Sequence, residues 1–340
     1  MSDRVTGFGQ TIDEYEMVNG IVELRDAYIR LVDIEEGAVT VQCRMRELSI
    51  DDGALQYNGE HIVFLDDEGY GKICKLLRIP TPYILRLNKP LKKVNIEYWF
   101  DFFKDKEVSV TYKNGELIEI TDGIEIKLLD LLDMLNALLP EGRIFRTYAQ
   151  TNAVVFDVYS EDYSFDTEND TFFGGIRLVY KKGLKAPDIS PIFINVNSCG
   201  IIECSAYLEK LIIKNLSYKD ILRVIQERFE NCIDALGSLF HVFQDMAGDI
   251  VPNPHRRIAL YCREHGMPDR VRSYALSSFD ESGLQSATYE QLIGLFSVLG
   301  YTDEVKQASE RRLQQLAGYI ISKAKSEHRC GKCDAQLNND

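Results

Sequence analysis

Residues 171–211 read TFFGGIRLVYKKGLKAPDISPIFINVNSCGIIECSAYLEKL. PIFINV is a short, continuous, β-rich apolar run, which predicts a strand buried on both faces. FFGGIRLVY ahead of it predicts a second strand. Gly174-Gly175 inside that pattern marks a bulge or a close approach of backbones rather than a phosphate cradle. The two strands flank a turn carrying Lys181, Lys182 and Lys185. Cys199 and Cys204 lie in apolar surroundings and are expected as core thiols. The stretch therefore predicts a structural centre, with long helices directly after it.

Working upstream, further strands are expected at residues 143–150 and 153–160. The polar SEDYSFDTEND that follows is expected as a solvated loop. Its carboxylates (Glu161, Asp162, Asp166, Glu168, Asp170) lack the central glycine and closing glutamate of a Ca²⁺ loop. LLDLLDMLNALL predicts an apolar helix. VSVTYKNGELIEIT predicts a hairpin, because Asn114-Gly115 suits a type I′ turn whose central residues both need positive φ. Residues 95–106 hold Trp99 among Tyr98, Phe100, Phe102 and Phe103, and are expected as a buried aromatic knot. Nearby Glu97, Asp101 and Asp105 argue against a stacking platform for bases.

Asp66 or Asp67 is expected to cap a helix with Tyr70, Ile73, Cys74 and Leu77 on its apolar face. Pro80 stops it and Pro82 starts a second, shorter one. HIVFL predicts a strand. Further back, IVELRDAYIRLVDI and AVTVQCRMRELSI are expected to pair as a hairpin across Glu35-Glu36-Gly37.

Downstream, Ser217 predicts a helix cap. Apolar residues then recur at Ile221, Leu222, Ile225, Phe229, Cys232, Ile233, Leu236, Leu239, Phe240 and Phe243, a helical stripe that either packs in the fold or zips with a neighbour. Asn253-Pro254 ends it. Shorter helices follow, with Gly266 as a C-terminal cap, Pro268 as a first helical residue, and helices from Thr288 and from Thr302. The expected architecture is α+β: a flexible arm over residues 1–20, a mixed domain over 21–215, a helical region over 216–326 packed on it, and a flexible tail over 327–340.

The chain has 340 residues, with 39 Lys and Arg against 53 Asp and Glu, for a formal net charge of −14. Such a surface repels nucleic acid and anionic membranes as a whole, so any polyanion must be met by a local basic patch. No run of about 18 apolar residues predicts a membrane-crossing helix. The first residues lack a signal peptide's apolar run, and the eight cysteines form no framework, so a reducing cytoplasm is expected.

No phosphate-binding glycine loop, dinucleotide fingerprint or nucleophile elbow is present, and no catalytic residue is assigned. Cys199 and Cys204 have no spacing that ties them to His241 or His255. The sharpest chemical signal is His328-Arg329-Cys330-Gly331-Lys332-Cys333. Cys330 and Cys333 have the C-x-x-C spacing of a zinc knuckle, and His328 adds a third ligand, so zinc here needs completion in trans. The alternatives are a tail with incidental cysteines, which leaves the protein without a cofactor, and a redox dithiol. Local basic groups are the candidates for phosphate contact: Lys181, Lys182 and Lys185 on the turn, and Arg311 and Arg312 on the last helix.

The succession LLRIPTPYILRL, NIEYWF, EITDGIEIKLLDLLDML, FFGGIRLVYKK with PIFINVNSCG, then ATYEQLIGLF and RRLQQLAGYII spans roughly residues 60–320. It resembles the phage and plasmid proteins of the domain of unknown function 932 family. That resemblance implies a mobile-element setting near DNA recombination and anti-restriction genes, with no established activity. The resulting expectation is a non-enzymatic protein of DNA transactions, binding or annealing single-stranded DNA as a homo-oligomer in the host cytoplasm. The alternative is a virion component, or a protein that binds a host or phage partner.

Overall fold

The computed structural model describes residues 20–124, 126–150, 153–167, 170–180, 186–195, 197–209, 211, 216–299 and 307–327. The fold is α+β, with three antiparallel sheets in the first two-thirds and helices at the C-terminal end.

Among the described residues the first element is a helix, α1 (Leu24–Glu35), and not the first strand of a hairpin. Leu24, Ala27 and Leu31 are buried at helical spacing, and that periodicity outweighs the β-branched residues around them. Gly37, at φ 78°, then turns the chain into β1 (Ala38–Arg44). A three-stranded meander follows: β2 (Leu48–Asp51), β3 (Ala54–Tyr57) and β4 (Glu60–Phe64). Its turns are Asp52-Gly53 (φ 43° and 80°) and Asn58-Gly59 (φ 50° and 82°), both of the positive-φ kind that matches strand twist.

Next comes α2 (Asp67–Leu77), where the Asp66 carboxylate accepts from the Gly69 amide at 2.7 Å. It buries Tyr70, Ile73, Cys74 and Leu77, as the sequence predicts. Helix α3 (Thr81–Leu85) has Pro82 in its first turn, and α4 (Lys89–Phe102) is capped by Asn88. Strands β5 (Glu107–Lys113) and β6 (Glu116–Asp122) form the expected hairpin, with Asn114 and Gly115 at φ 52° and 81°. Strand β1 adds to its edge, giving the order β1-β5-β6. Met45, Leu55, Ile73, Ile96, Phe100 and Val110 belong to the single core beneath these elements.

After α5 (Leu128–Leu138) the central sheet forms from β7 (Arg143–Gln150), β8 (Ala153–Asp166), β9 (Thr171–Tyr180), β10 (Asp188–Asn195) and β11 (Gly200–Glu203). Its order is β11-β10-β9-β8-β7. The stretch around residue 175 does sit at its centre. Strand β8 runs through most of the segment expected as a loop, bulging between Tyr159 and Ser164 opposite Gly174. At Gly175 a Cβ would lie 2.0 Å from the Val158 carbonyl oxygen, so only glycine lets β8 and β9 meet there. Cys204 is buried, but Cys199 is exposed in a tight turn at φ 56° and is not a core thiol.

Alternation gives this sheet two faces. Val154, Phe156, Val158, Ile176 and Leu178 share one core with α1, α5 and the first half of α6 (Tyr218–Ala247). The second half of α6 enters another core with α7 (Pro254–Glu264), α8 (Asp269–Glu281), α9 (Tyr289–Leu299) and α10 (Gln307–Glu327). The apolar stripe of α6 is therefore consumed inside the fold: Ile225, Phe229, Cys232, Leu239 and Phe243 are all wholly buried. Pro268 is the cap of α8, one residue before its first turn. No described helix is long and apolar enough to cross a membrane.

The buried aromatic knot lies elsewhere than expected. Phe165, Phe172, Phe193 and Phe243 pack with ring centroids 5.2–5.9 Å apart where β8, β9 and β10 meet α6. On α4, only Phe100 of the expected aromatic group is fully buried, and Tyr98 and Phe102 are exposed at 63% and 64%.

Candidate functional site

The opposite face of the central sheet carries a small apolar cluster of Ile192, Ile194 and Ile201 and, beside it, a set of buried charges. Strand register sets Arg146 opposite Asp157, Asp157 opposite Arg177, and Arg177 opposite Ser190, a polar row across four strands. Arg177 is wholly buried. Its Nε and Nη2 donate to the two oxygens of Asp157 at 2.5 and 2.8 Å, and Nη1 donates to Glu203 at 2.7 Å.

Helix α10 completes the arrangement. Gln314 accepts from Arg177, Gln315 and Arg311 donate to Glu203, and Arg311 also reaches Asp188 at 2.7 Å. Glu310 accepts from Arg146 at 2.6 Å. Gly318 allows this approach, since a Cβ there would come within 2.2 Å of the Glu203 carbonyl oxygen. Burial would raise the Glu203 carboxyl, but Arg177 and then Arg311 outweigh it and bring it down to about 2. Burial likewise opposes charge on Arg177, yet Asp157 and Glu203 hold the guanidinium well above its ordinary value.

Three arginines thus meet Asp157, Glu203, Glu310 and the half-exposed Asp188. Their hydrogen bonds are directed at one another. Such a set orients the last helix on the sheet, and the Tyr148 hydroxyl beside it is buried with no hydrogen-bond partner among the described residues. The buried thiols are quiet: burial pushes Cys43 and Cys232 up to about 12, far from the thiolate form at neutral pH.

Arg311, one of the cations expected to meet phosphate, is committed to this set. Arg312 donates to the backbone carbonyls of His265 and Gly266 at 2.5 and 2.8 Å and so closes the end of α7. Lys181, Lys182 and Lys185, and His328, Cys330 and Cys333 of the C-x-x-C signal, lie outside the described residues. Among the described residues, no group of three or more His, Cys, Asp or Glu is arranged to hold a metal ion.

A different basic feature emerges in the N-terminal half. Between Gly69 and Ile96 there are seven cations and no carboxylate: Lys72, Lys75, Arg78, Arg86, Lys89, Lys92 and Lys93. In a chain of net charge −14 that run is a local reversal of sign, and a sliding charge count would have found it. The fold places it in α2, α3 and α4, where Lys89, Lys92 and Lys93 pair with Asp52, Asp67 and Asp51, and Lys72, Lys75 and Arg78 share a cleft.

Lys72 and Lys75 of α2 and Arg78 at its C-terminal cap line a cleft of about 320 Å³ together with Lys106 and with Glu119, Thr121 and Asp122 of β6. Lys72 pairs with Glu68 at 2.8 Å and Lys106 with Asp122, so the positive charge of the cleft rests on Lys75 and Arg78. Lys75 and Arg78 are exposed. Lys72 donates to the Leu117 carbonyl at 2.8 Å, and Lys106 lies 3.0 Å from Asp122 and over the Phe103 ring. The Thr121 hydroxyl is buried at the cleft with no hydrogen-bond partner among the described residues. Through Lys106 and Asp122 the cleft adjoins a larger one of about 580 Å³, mixed in charge, that runs from Arg44 to the first turn of α6.

Compared with protein-family models, with curated proteins and with solved structures, the chain matches none.

Proposed function

We propose that the chain is a non-enzymatic DNA-transaction protein of a phage or plasmid, acting in the host cytoplasm, and that it binds single-stranded DNA along the cleft between α2 and β6. The observation that carries this reading is the acid-free run from Gly69 to Ile96, folded so that Lys72, Lys75 and Arg78 line one groove with Lys106. Phosphate contacts by such cations give sequence-independent affinity through counterion release. The mobile-element setting rests on the sequence resemblance alone.

The test is fluorescence anisotropy of a labelled oligonucleotide at 50 and 200 mM salt. Two to four phosphate contacts on a single strand give a slope near −0.7 per contact, so affinity should fall about 7- to 50-fold across that range. No binding at 50 mM, or binding without a salt slope, overturns the reading.

A second reading, a protein that docks on another protein, is favoured by one observation. Helix α4 leaves Leu91, Val94, Tyr98 and Phe102 exposed on a single face.

A further inference from the structure

Helix α4 has two apolar faces. Ile96, Phe100 and half-buried Phe103 point into the core with Ile73 and Val110. On the other side Leu91, Val94, Tyr98 and Phe102 recur at intervals of three and four, with exposures of 48%, 62%, 63% and 64%. At 1.5 Å per residue this stripe is about 16 Å long. Tyr83 of α3 widens it, its hydroxyl donating to Asn95 on the same face at 3.1 Å. Trp99 braces it from beside, with ring centroids 5.6 Å from Tyr98 and 5.5 Å from Phe102.

Charge along α4 runs against its own helix dipole. Lys89, Lys92 and Lys93 occupy the first turns, where the partial charge is positive, and each already meets a carboxylate of its own chain, Asp52, Asp67 and Asp51. Glu97, Asp101 and, just past the end, Asp105 follow towards the negative terminus. Asp101 has no ion-pair partner among the described residues. This distribution works against the isolated helix, and it is self-complementary under a two-fold axis.

We propose that the exposed face of α4 is the interface of a homodimer in which two copies of the helix pack antiparallel. The two-fold places Leu91 of each copy beside Phe102 of the other, and Val94 and Asn95 beside Tyr98. It also lays the lysine-rich start of each helix along the acidic end of its mate, which brings Asp101 of each copy up to the Lys93–Asp51 pair of the other. Isologous packing of this kind needs only one patch that complements itself. Nucleic acid is a poor occupant of the same face, because Glu97 and Asp101 border the stripe and repel phosphate. The dimer surface is thus separate from the proposed DNA cleft and stands without it.

The interface is at the small end for stable dimers, so sedimentation equilibrium should extend to about 200 µM protein. The wild type is expected to dimerise. Val94→Glu and Tyr98→Glu, both on exposed positions, should weaken self-association at least tenfold with an unchanged circular dichroism spectrum. Asp101→Lys should weaken it as well. A wild type that stays monomeric at 200 µM overturns the proposal. So does a dimer indifferent to Val94→Glu and Tyr98→Glu, since its interface would then lie elsewhere.

Discussion

Arg177 grips both carboxylate oxygens of Asp157, Nε at 2.5 Å and Nη2 at 2.8 Å, with neither side chain exposed to solvent. The two residues are twenty positions apart and meet because β8 and β9 are in register at that row. Replacing Arg177 by Met would leave Asp157 and Glu203 buried without their main cation. The expected cost is about 3–5 kcal/mol, because an uncompensated buried charge is far more costly than a missing pair. Urea unfolding of the variant reads this directly as a lower midpoint.

Acid should loosen the same set of charges. The carboxyl of Glu203 titrates in the folded protein at about 2, below its ordinary value of 4.5. A group held down in this way stabilises the fold above its unfolded value, and that stability drains away as pH falls from about 4.5 towards about 2. The amount at stake is on the order of 3 kcal/mol. Glu203→Gln should therefore be less stable than the wild type at pH 7, and should lose less stability between pH 5 and 2. Denaturation midpoints measured across that range compare the two slopes.

The central strands should tolerate no side chain at residue 175. Gly175→Ala places its Cβ against the Val158 carbonyl, part of the backbone, which cannot swing aside. A cost of about 1–3 kcal/mol or more is expected, as for overpacking in a core. Gly174→Ala meets its first neighbour, the Tyr163 Cβ, only at 3.0 Å and should cost less. Thermal melts of both variants test the order.

Local signals in the sequence read well where one residue type controls the backbone. Asn114-Gly115 announces its hairpin, Asp66 its helix, and the paired glycines their close approach. The same logic applies to Asp52-Gly53 and Asn58-Gly59, whose turns build the β2–β4 meander, so those strands were equally legible there. Residues 24–35 mislead because Ile, Val and Leu fit both periods, and only the 24, 27, 31 spacing separates helix from strand. The aromatic residues of α4 show the limit of composition: ring content cannot say which face of a helix a ring is on.

The Arg177 set is illegible for a different reason. Its members run from Arg146 to Gln315, and no local pattern links positions brought together by strand register and by a helix that closes over the sheet. The expectation that Arg311 meets phosphate fails to foresee this, because a cation's partner is set by tertiary contact and not by its neighbours in sequence. The basic cleft lies between these extremes. Its cations are legible as an acid-free run, and their convergence with Lys106 and Thr121 requires the fold.

The most direct test of the proposed function compares the salt dependence of single-stranded DNA binding in the wild type and in Lys75→Ala/Arg78→Ala. Both residues are exposed, so folding should be unaffected. Removing two phosphate contacts should weaken binding at 50 mM salt and reduce the slope of log affinity against log salt by about 1.4. An unchanged slope in that variant, with a reduced slope in Lys181→Ala/Lys182→Ala/Lys185→Ala, would place the DNA elsewhere and contradict the account.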